Sequence, residues 1–354
     1  MRVLIFTHYL KAGGAERRAT IYADYLQKCG IDVSVVTIYK TDNEYEINQE
    51  IPRFYLSHGP NEYSKLSFKR KVSLLRKIYD EFEPTTIISF LPKYSFYSLI
   101  ASKYRKKYRH ITNIYPVCLY QKKYKLITKM IDRFNCKHAD IISLQCEEQL
   151  ACNKHFLDKC IVNYNPISDR LSGLEKDFSK FKILCVGRLT KQKNFSFAIR
   201  GVAIAHKQIP NITLDLYGDG PLKKDLQKEI RRLKADKYIK LHNFSNKIIE
   251  EYSGHNVYIS SSKYEGFPNS LIEAMMGGLV CLSTACPTGP KEIISDKING
   301  FFIKKPEDIA KVLIELSKNV EICDNISKAA RLSSKIKFED RVVLPNFIAT
   351  IKNR

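Results

Sequence analysis

"FKILCVGRLTKQKNFSFAIRGVAIAHKQ", residues 181–208, passes from an apolar run through a polar, glycine-bearing loop into a helical pattern. FKILCVGRL reads as a strand and NFSFAIRGVAIAHKQ as a helix. A strand that feeds a helix is the repeating unit of layered α/β proteins with parallel sheets. The rhythm runs on through ITLDLYGDG (strand and turn), LKKDLQKEIRRLKA (helix) and YIKLHNF (strand). NVYISSS (strand), NSLIEAMMGG (helix) and LVCLSTA (strand) follow. Earlier in the chain, RVLIFTHYL, DVSVVTIY, TTIISFL and ADIISLQ are expected strands, and ERRATIYADYLQKCG a helix ending at Gly30. The polar, turn-rich VNYNPISDRLSGLEKDFSK separates the two halves near 164–180. FEDRVVLPNFIATIKNR closes the chain with helical period and an expected kink at Pro345.

A chain of 354 residues suits two domains, each with its own core. No uncharged apolar run reaches the roughly 18 residues needed to span a bilayer. MRVLIFTHYL has no small-residue cleavage site and reads as a first strand rather than a signal peptide. The ten cysteines include no C-x-x-C pair, which argues against a zinc site and for single buried thiols in a reducing compartment, Cys185 and Cys281 among them. A net charge of +22 points to an acidic partner. Between Lys65 and Lys129 there are sixteen Lys and Arg against three acids. KLSFKRKVSLLRKIYDEF reads there as an amphipathic helix with Phe68, Val72, Leu75 and Tyr79 on its apolar face. KYRKKYRH and YQKKYKLITKMI add Lys and Tyr to the same region. Such a face suits an anionic membrane surface, and equally a solvated basic surface.

Ligands of open α/β sheets bind beyond the carboxyl ends of the strands. Three stretches fall there. Gly13-Gly14 follows the first strand; glycine admits a ligand close to the backbone, and a tight turn explains the pair as well. G-x-G-x-x-G occurs nowhere, so a dinucleotide fingerprint is lacking. VGRLTKQKN, 186–194, sets Arg188 and Lys193 in a loop before a helix, where two cations can neutralise a diphosphate or simply face solvent. EGFPNSLIEA, 265–274, places Glu265 in a loop and Glu273 in a helix, with Pro268 suited to its first turn and the amides of Asn269 to Leu271 free to meet a phosphate. Ser270 and Glu273 also spell S-x-x-E, a capping box.

GGAER, VGRLTKQKN, YGDGPLKKDL and EGFPNSLIEA, in this order, resemble the retaining GT-B glycosyltransferases of family 4, with their E-x7-E signature. The resemblance implies an α/β chain of two Rossmann-like α/β/α domains facing across a cleft. Residues 1–165 would form an acceptor- and membrane-facing domain and 166–337 a nucleotide-sugar-binding one, with 338–354 crossing back as a helix. It implies Arg188 and Lys193 as the diphosphate clamp, Glu265 facing the donor sugar and Glu273 on the ribose. Gly187, Gly266, Phe267, Asn269, Ser270 and Leu271 would line the donor site. Gly13 and Gly14 would lie beside the phosphates and acceptor. CPTGPKEII, 286–294, resembles the corresponding loop of enzymes that build bacterial surface polysaccharides, which would bring Thr288 or Gly289 to the sugar. Many members carry a His near the position of ITNIYP; this chain has Thr112 and Asn113 there, His110 being the nearest His, so Asn113 is the candidate on the acceptor side. His8, after the first strand, is a further cleft candidate or a packed His.

No D-x-D occurs among the seventeen Asp, so cations and a helix start, without a metal or other cofactor, are expected to stabilise the leaving diphosphate. The resulting expectation is a nucleotide-sugar transferase acting on a polyprenyl-diphosphate-linked glycan at the cytoplasmic membrane face, for O-antigen or capsule. The alternatives are a GT-B sugar-nucleotide epimerase, which needs neither the E-x7-E loop nor a basic face, and a basic nucleic-acid binder. No nucleic-acid module is visible, so nucleic acid is not an expected partner.

Overall fold

In the computed structural model, which describes residues 1–11, 13–102, 108–113, 126–245 and 248–353, the chain divides into two compact units. The first comprises Met1–Pro166 with Val343–Arg354, and the second Ile167–Val342. Much of KYRKKYRH, YQKKYKLITKMI and ITNIYP lies outside the described residues.

The first unit holds seven parallel strands: β1 (Arg2–Phe6), β2 (Asp32–Thr37), β3 (Arg53–Tyr55), β4 (Thr86–Phe90), β5 (Arg109–Asn113), β6 (Ile141–Leu144) and β7 (Cys160–Val162). They lie in the order β3-β2-β1-β4-β5-β6-β7. Strands buried on both faces read as continuous apolar runs. β1 shows the consequence: Val3 and Ile5 join one core layer, with Ala19, Tyr22 and Leu26 of helix Gly14–Lys28, while Leu4 and Phe6 join the opposite layer. Helix Phe68–Phe82 covers that opposite layer with Val72, Leu75 and Tyr79, as its periodicity predicts. Phe68 does not join them. It heads the helix, is 43% exposed and stacks on Phe96 instead. Helix Asp340–Asn353, with Pro345 inside it, completes the first layer through Leu344, Phe347, Ile348 and Ile351.

The second unit holds six parallel strands: β8 (Lys182–Val186), β9 (Thr213–Tyr217), β10 (Ile239–His242), β11 (Val257–Ser260), β12 (Val280–Thr284) and β13 (Phe301–Ile303). Their order is β10-β9-β8-β11-β12-β13. The chain builds outward from β8 to β10, then returns to β8's other side with β11. The loops after β8 and β11 therefore part at a topological switch point, where open sheets bind ligands. Helices Phe195–His206 and Pro306–Leu316 bury Ile199, Val202, Ile309 and Leu313 against the sheet face that carries Ile183, Cys185, Leu214 and Leu216. Among the described residues no helix is long and apolar enough to cross a membrane.

Candidate active site

The loop after β8 needs two glycines. Gly187 has φ +150° and lies under Lys193, so a Cβ there would come within 2.9 Å of the Lys193 Cε. Gly218, after β9, has φ +154°, and a Cβ there would collide with the Gly187 carbonyl oxygen. Side chains rarely adopt either φ. Two backbone bonds tie this loop to the next, Gly187 N–H to the Tyr217 carbonyl at 3.0 Å and Leu189 N–H to that of Asp219 at 2.9 Å.

The β8 and β11 loops are also laced together. Ser261 Oγ donates to the Lys193 carbonyl at 2.9 Å, Lys263 N–H to the Gln192 carbonyl at 2.8 Å, and Gln192 Nε2 to the Tyr264 carbonyl at 2.9 Å. At the centre, Lys193 Nζ lies 2.7 Å from Glu265 Oε1, which also accepts Ser262 Oγ–H at 2.5 Å. The side chains are 20% and 7% exposed. Lys193 is thus not the surface cation that a loop in a chain with 59 basic residues suggests: Gly187 leaves room for its stem, and Glu265 supplies its counter-charge. Arg188 stays exposed, and its guanidinium makes no hydrogen bond or ion pair among the described residues. Burial, and then the charge of Glu265, pushes the nearby Cys286 thiol up to about 11.

Pro268 occupies the N-cap of helix Asn269–Met276, so Ser270 already lies inside the helix and cannot cap it. The capping-box reading therefore fails. Ser270 Oγ accepts the Tyr258 hydroxyl at 2.8 Å, and Glu273 Oε2 accepts that of Tyr252 at 3.0 Å. The buried Glu273, 6% exposed, has a phenol beside it where the sequence offered only a helix start or a ligand. Of the three amides expected to meet a phosphate, those of Asn269 and Leu271 donate to Phe267 and Pro268 carbonyls at 3.0 Å, which corrects that expectation. Leu271 and Phe267 have buried side chains, and Phe267 packs edge-on against Phe338, so neither side chain lines an open site. Thr288 is buried too; its hydroxyl donates to the Glu265 and Gly266 carbonyls, holding the loop rather than facing a sugar. Gly289 packs against Pro268 and Phe267.

In the first unit, Gly14 opens helix Gly14–Lys28 and Gly13 caps it with an extended backbone. Gly13 is small for another reason: the Glu16 carboxylate lies where its Cβ would be. His8 Nδ1 sits 3.3 Å from that carboxylate, outside hydrogen-bonding geometry, and its ring packs between Tyr9 and Tyr94. Asn113 ends β5 deep in the sheet. It is 1% exposed, and its Nδ2 donates to the Ser89 carbonyl at 3.3 Å, so an open, ligand-facing Asn113 is corrected to a buried one. Thr112 and His110, on the same strand, are also buried.

Tyr252, Tyr258 and Ser262 were not expected in the site. Ser262 and Tyr258 lie in the strand-like NVYISSS and at its carboxyl end, a position that could have flagged them. Nothing local marks Tyr252.

Two parallel-sheet Rossmann-like units of this kind make the fold GT-B. Residues 172–333, most of the second unit, match the family model for glycosyl transferases group 1. The GtfA subunit of the UDP-N-acetylglucosamine–peptide N-acetylglucosaminyltransferase of Streptococcus agalactiae is 31% identical over 172 residues, covering 46% of this chain and 34% of that protein. An uncharacterized glycosyltransferase of Haemophilus influenzae is 25% identical with 92% of each chain covered. The chain spans about a third to a half of the length of the first curated relatives it matches. Among solved structures, Anabaena HepE in complex with UDP superposes with a TM-score of 0.83 over 100% of both chains at 16% identity.

Proposed function

We propose that this chain is a retaining, metal-independent glycosyltransferase. It moves a hexose or N-acetylhexosamine from a nucleotide-sugar, UDP-linked by preference and GDP-linked as the second option, to a lipid-linked glycan in the synthesis of bacterial surface polysaccharide. The observation that carries the reading is the Lys193–Glu265 pair, held over Gly187 at the β8/β11 switch point, with Glu273 inside the helix that follows. In this reading Lys193 and Arg188 meet the diphosphate, Glu265 the sugar and Glu273 the ribose, while Gly187 leaves room for the Lys193 stem and Gly266 and the polar side chains of Asn269 and Ser270 lie around them.

Transfer breaks the bond from the anomeric carbon to the diphosphate oxygen and forms one to the acceptor hydroxyl. The electron pair leaves with the diphosphate, and the acceptor proton passes to it. The transition state is oxocarbenium-like, so charge grows on the leaving group, where fixed cations act most strongly. Lys193 exchanges one anion, Glu265, for another as donor binds, and Glu265 is then released toward the sugar. The acceptor side rests on Gly13, Gly14 and the basic residues between Lys65 and Lys129, which suit an anionic membrane and a polyprenyl diphosphate. A protein acceptor is the second reading, favoured by the name of the Streptococcus agalactiae relative. A sugar-nucleotide epimerase is the rival reaction on this fold.

Incubation with a panel of UDP- and GDP-sugars, scored for slow release of nucleoside diphosphate and free sugar, tests the proposal. Release from one donor, lost in Glu265→Gln with diphosphate affinity largely kept, is the expected result. Interconversion of donors without release would identify the epimerase, and no turnover of any donor would reject both.

A further inference from the structure

We propose that Tyr252 is a positioning residue for Glu273: its phenol fixes the carboxylate in the orientation that receives the ribose hydroxyls. The inference rests on the ribose role given to Glu273 above. Tyr252 is wholly buried, and its hydroxyl lies 3.0 Å from Glu273 Oε2 and 3.2 Å from the Ser270 carbonyl oxygen. It therefore reaches both the carboxylate and the backbone of the turn that carries it. A glutamate side chain has three rotatable bonds, and its terminal torsion is broad. A phenol that donates to one carboxylate oxygen removes that freedom and directs the other oxygen. The bond is charge-assisted, and in a buried setting it is stronger than the same contact at a surface.

Tyr252 is itself anchored. It lies on the short helix Ile248–Gly254, which meets β8. His255, just past the helix end, ties that helix to the sheet: Nδ1 is 2.6 Å from the Glu251 carbonyl oxygen, and Nε2 is 3.2 Å from Asp215 Oδ2 on β9. Asp215 Oδ1 in turn lies 2.5 Å from His242 Nε2 on β10. A continuous polar path thus runs from two strands, through the helix, to the carboxylate. Tyr258, the other phenol here, donates to Ser270 Oγ at 2.8 Å, so both tyrosines hold the turn and Tyr252 also aims the acid.

The test compares binding of UDP and 2′,3′-dideoxy-UDP by calorimetry to wild type, Tyr252→Phe, Glu273→Gln and the double variant, with thermal unfolding in parallel. Guanosine and adenosine pairs are run alongside, and the tightest base is read. Wild type is expected to prefer the ribose form. Tyr252→Phe should weaken that form by about three- to tenfold, the scale of one ordinary hydrogen bond, because the phenol acts only through the carboxylate. Binding of the dideoxy form should stay within about twofold. The double variant should lose no more than Glu273→Gln alone, because the phenol acts through the carboxylate. Equal losses for both nucleotides in Tyr252→Phe, or additive losses in the double variant, would overturn the inference and leave the tyrosine a packing residue. A Glu273→Gln protein that keeps full ribose preference would instead overturn the ribose reading itself. Should Tyr252→Phe not fold, Tyr252→Met, which also lacks the donor and fills the space with a flexible apolar side chain, replaces it in the same cycle and is held to the same two outcomes.

Discussion

Replacing Lys193 by Ala should damage both stability and turnover, and the two losses should separate in a second variant. The ammonium is the counter-charge of Glu265, which is only 7% exposed. Removing one partner of a buried ion pair leaves an uncompensated charge and costs about 3–5 kcal/mol when burial is complete. Lys193 is 20% exposed, and the Ser262 hydroxyl remains on the carboxylate, so the loss here should be about 2–3 kcal/mol. For a unit the size of Ile167–Val342, that lowers the unfolding midpoint by about 4–12 °C. Lys193→Ala with Glu265→Gln removes both charges, and Gln can still accept the Ser262 hydrogen bond. Most of the lost stability should return. Turnover should not: loss of one transition-state charge stabiliser costs about 10²-fold or more, and the double variant also lacks the acid proposed to face the sugar. Differential scanning calorimetry and nucleoside-diphosphate release, measured on the wild type, both single variants and the double, decide the matter. A Lys193→Ala protein that melts with the wild type would refute the strength assigned to the pair. Turnover that recovers in step with stability would refute the role assigned to the cation.

Three further outcomes are expected. Activity should survive EDTA if, as proposed, fixed cations serve the leaving group; activity abolished by EDTA and restored by Mg²⁺ or Mn²⁺ would contradict this. Burial holds His110 at about 4, below its ordinary 6.5, and neither ring nitrogen has a hydrogen-bond partner among the described residues. The unfolded chain therefore binds the extra proton first. Stability should be full above about pH 6.5 and fall as pH drops toward 4, by about 3 kcal/mol in all. His110→Met should flatten that part of the stability curve, and an unchanged slope would exclude His110 as its source. Finally, the protein should sediment with vesicles rich in phosphatidylglycerol and leave them as salt rises, if the basic residues between Lys65 and Lys129 meet a charged surface as proposed. Binding indifferent to both variables would remove the membrane from the model.

The central strands of the sheets were legible in the sequence because they are buried on both faces. ILCV, VYIS and TIISF announce themselves as apolar runs between polar turns. RFY, CIV and FFI, which became β3, β7 and β13, are three residues long, too short to show any period. RHITN of β5 mixes charge and polarity and gives no apolar run. The site was legible as loops and unreadable as contacts. Lys193 meets Glu265 across 72 positions and Tyr252 meets Glu273 across 21, and neither distance leaves a mark on local spacing. The S-x-x-E match misled for a local reason. Its spacing was right, but Pro268 had taken the capping position and moved Ser270 into the helix.

The packing of Leu344, Phe347, Ile348 and Ile351 into the first unit's core has a consequence for the order of folding during synthesis. Phe347 stacks on Tyr22 with ring centroids 4.0 Å apart, yet the ribosome must make the whole of Ile167–Val342 between finishing Pro166 and reaching that helix. At about 5–20 residues per second this leaves the first sheet waiting for roughly 9–35 seconds with one apolar face partly uncovered. The second unit, continuous in sequence, needs nothing made after Val342 to close its own core. The first half of the chain to be made is then the last to be finished. A chain truncated before Val343 and released would hold a folded second unit and an exposed, chaperone-binding first one.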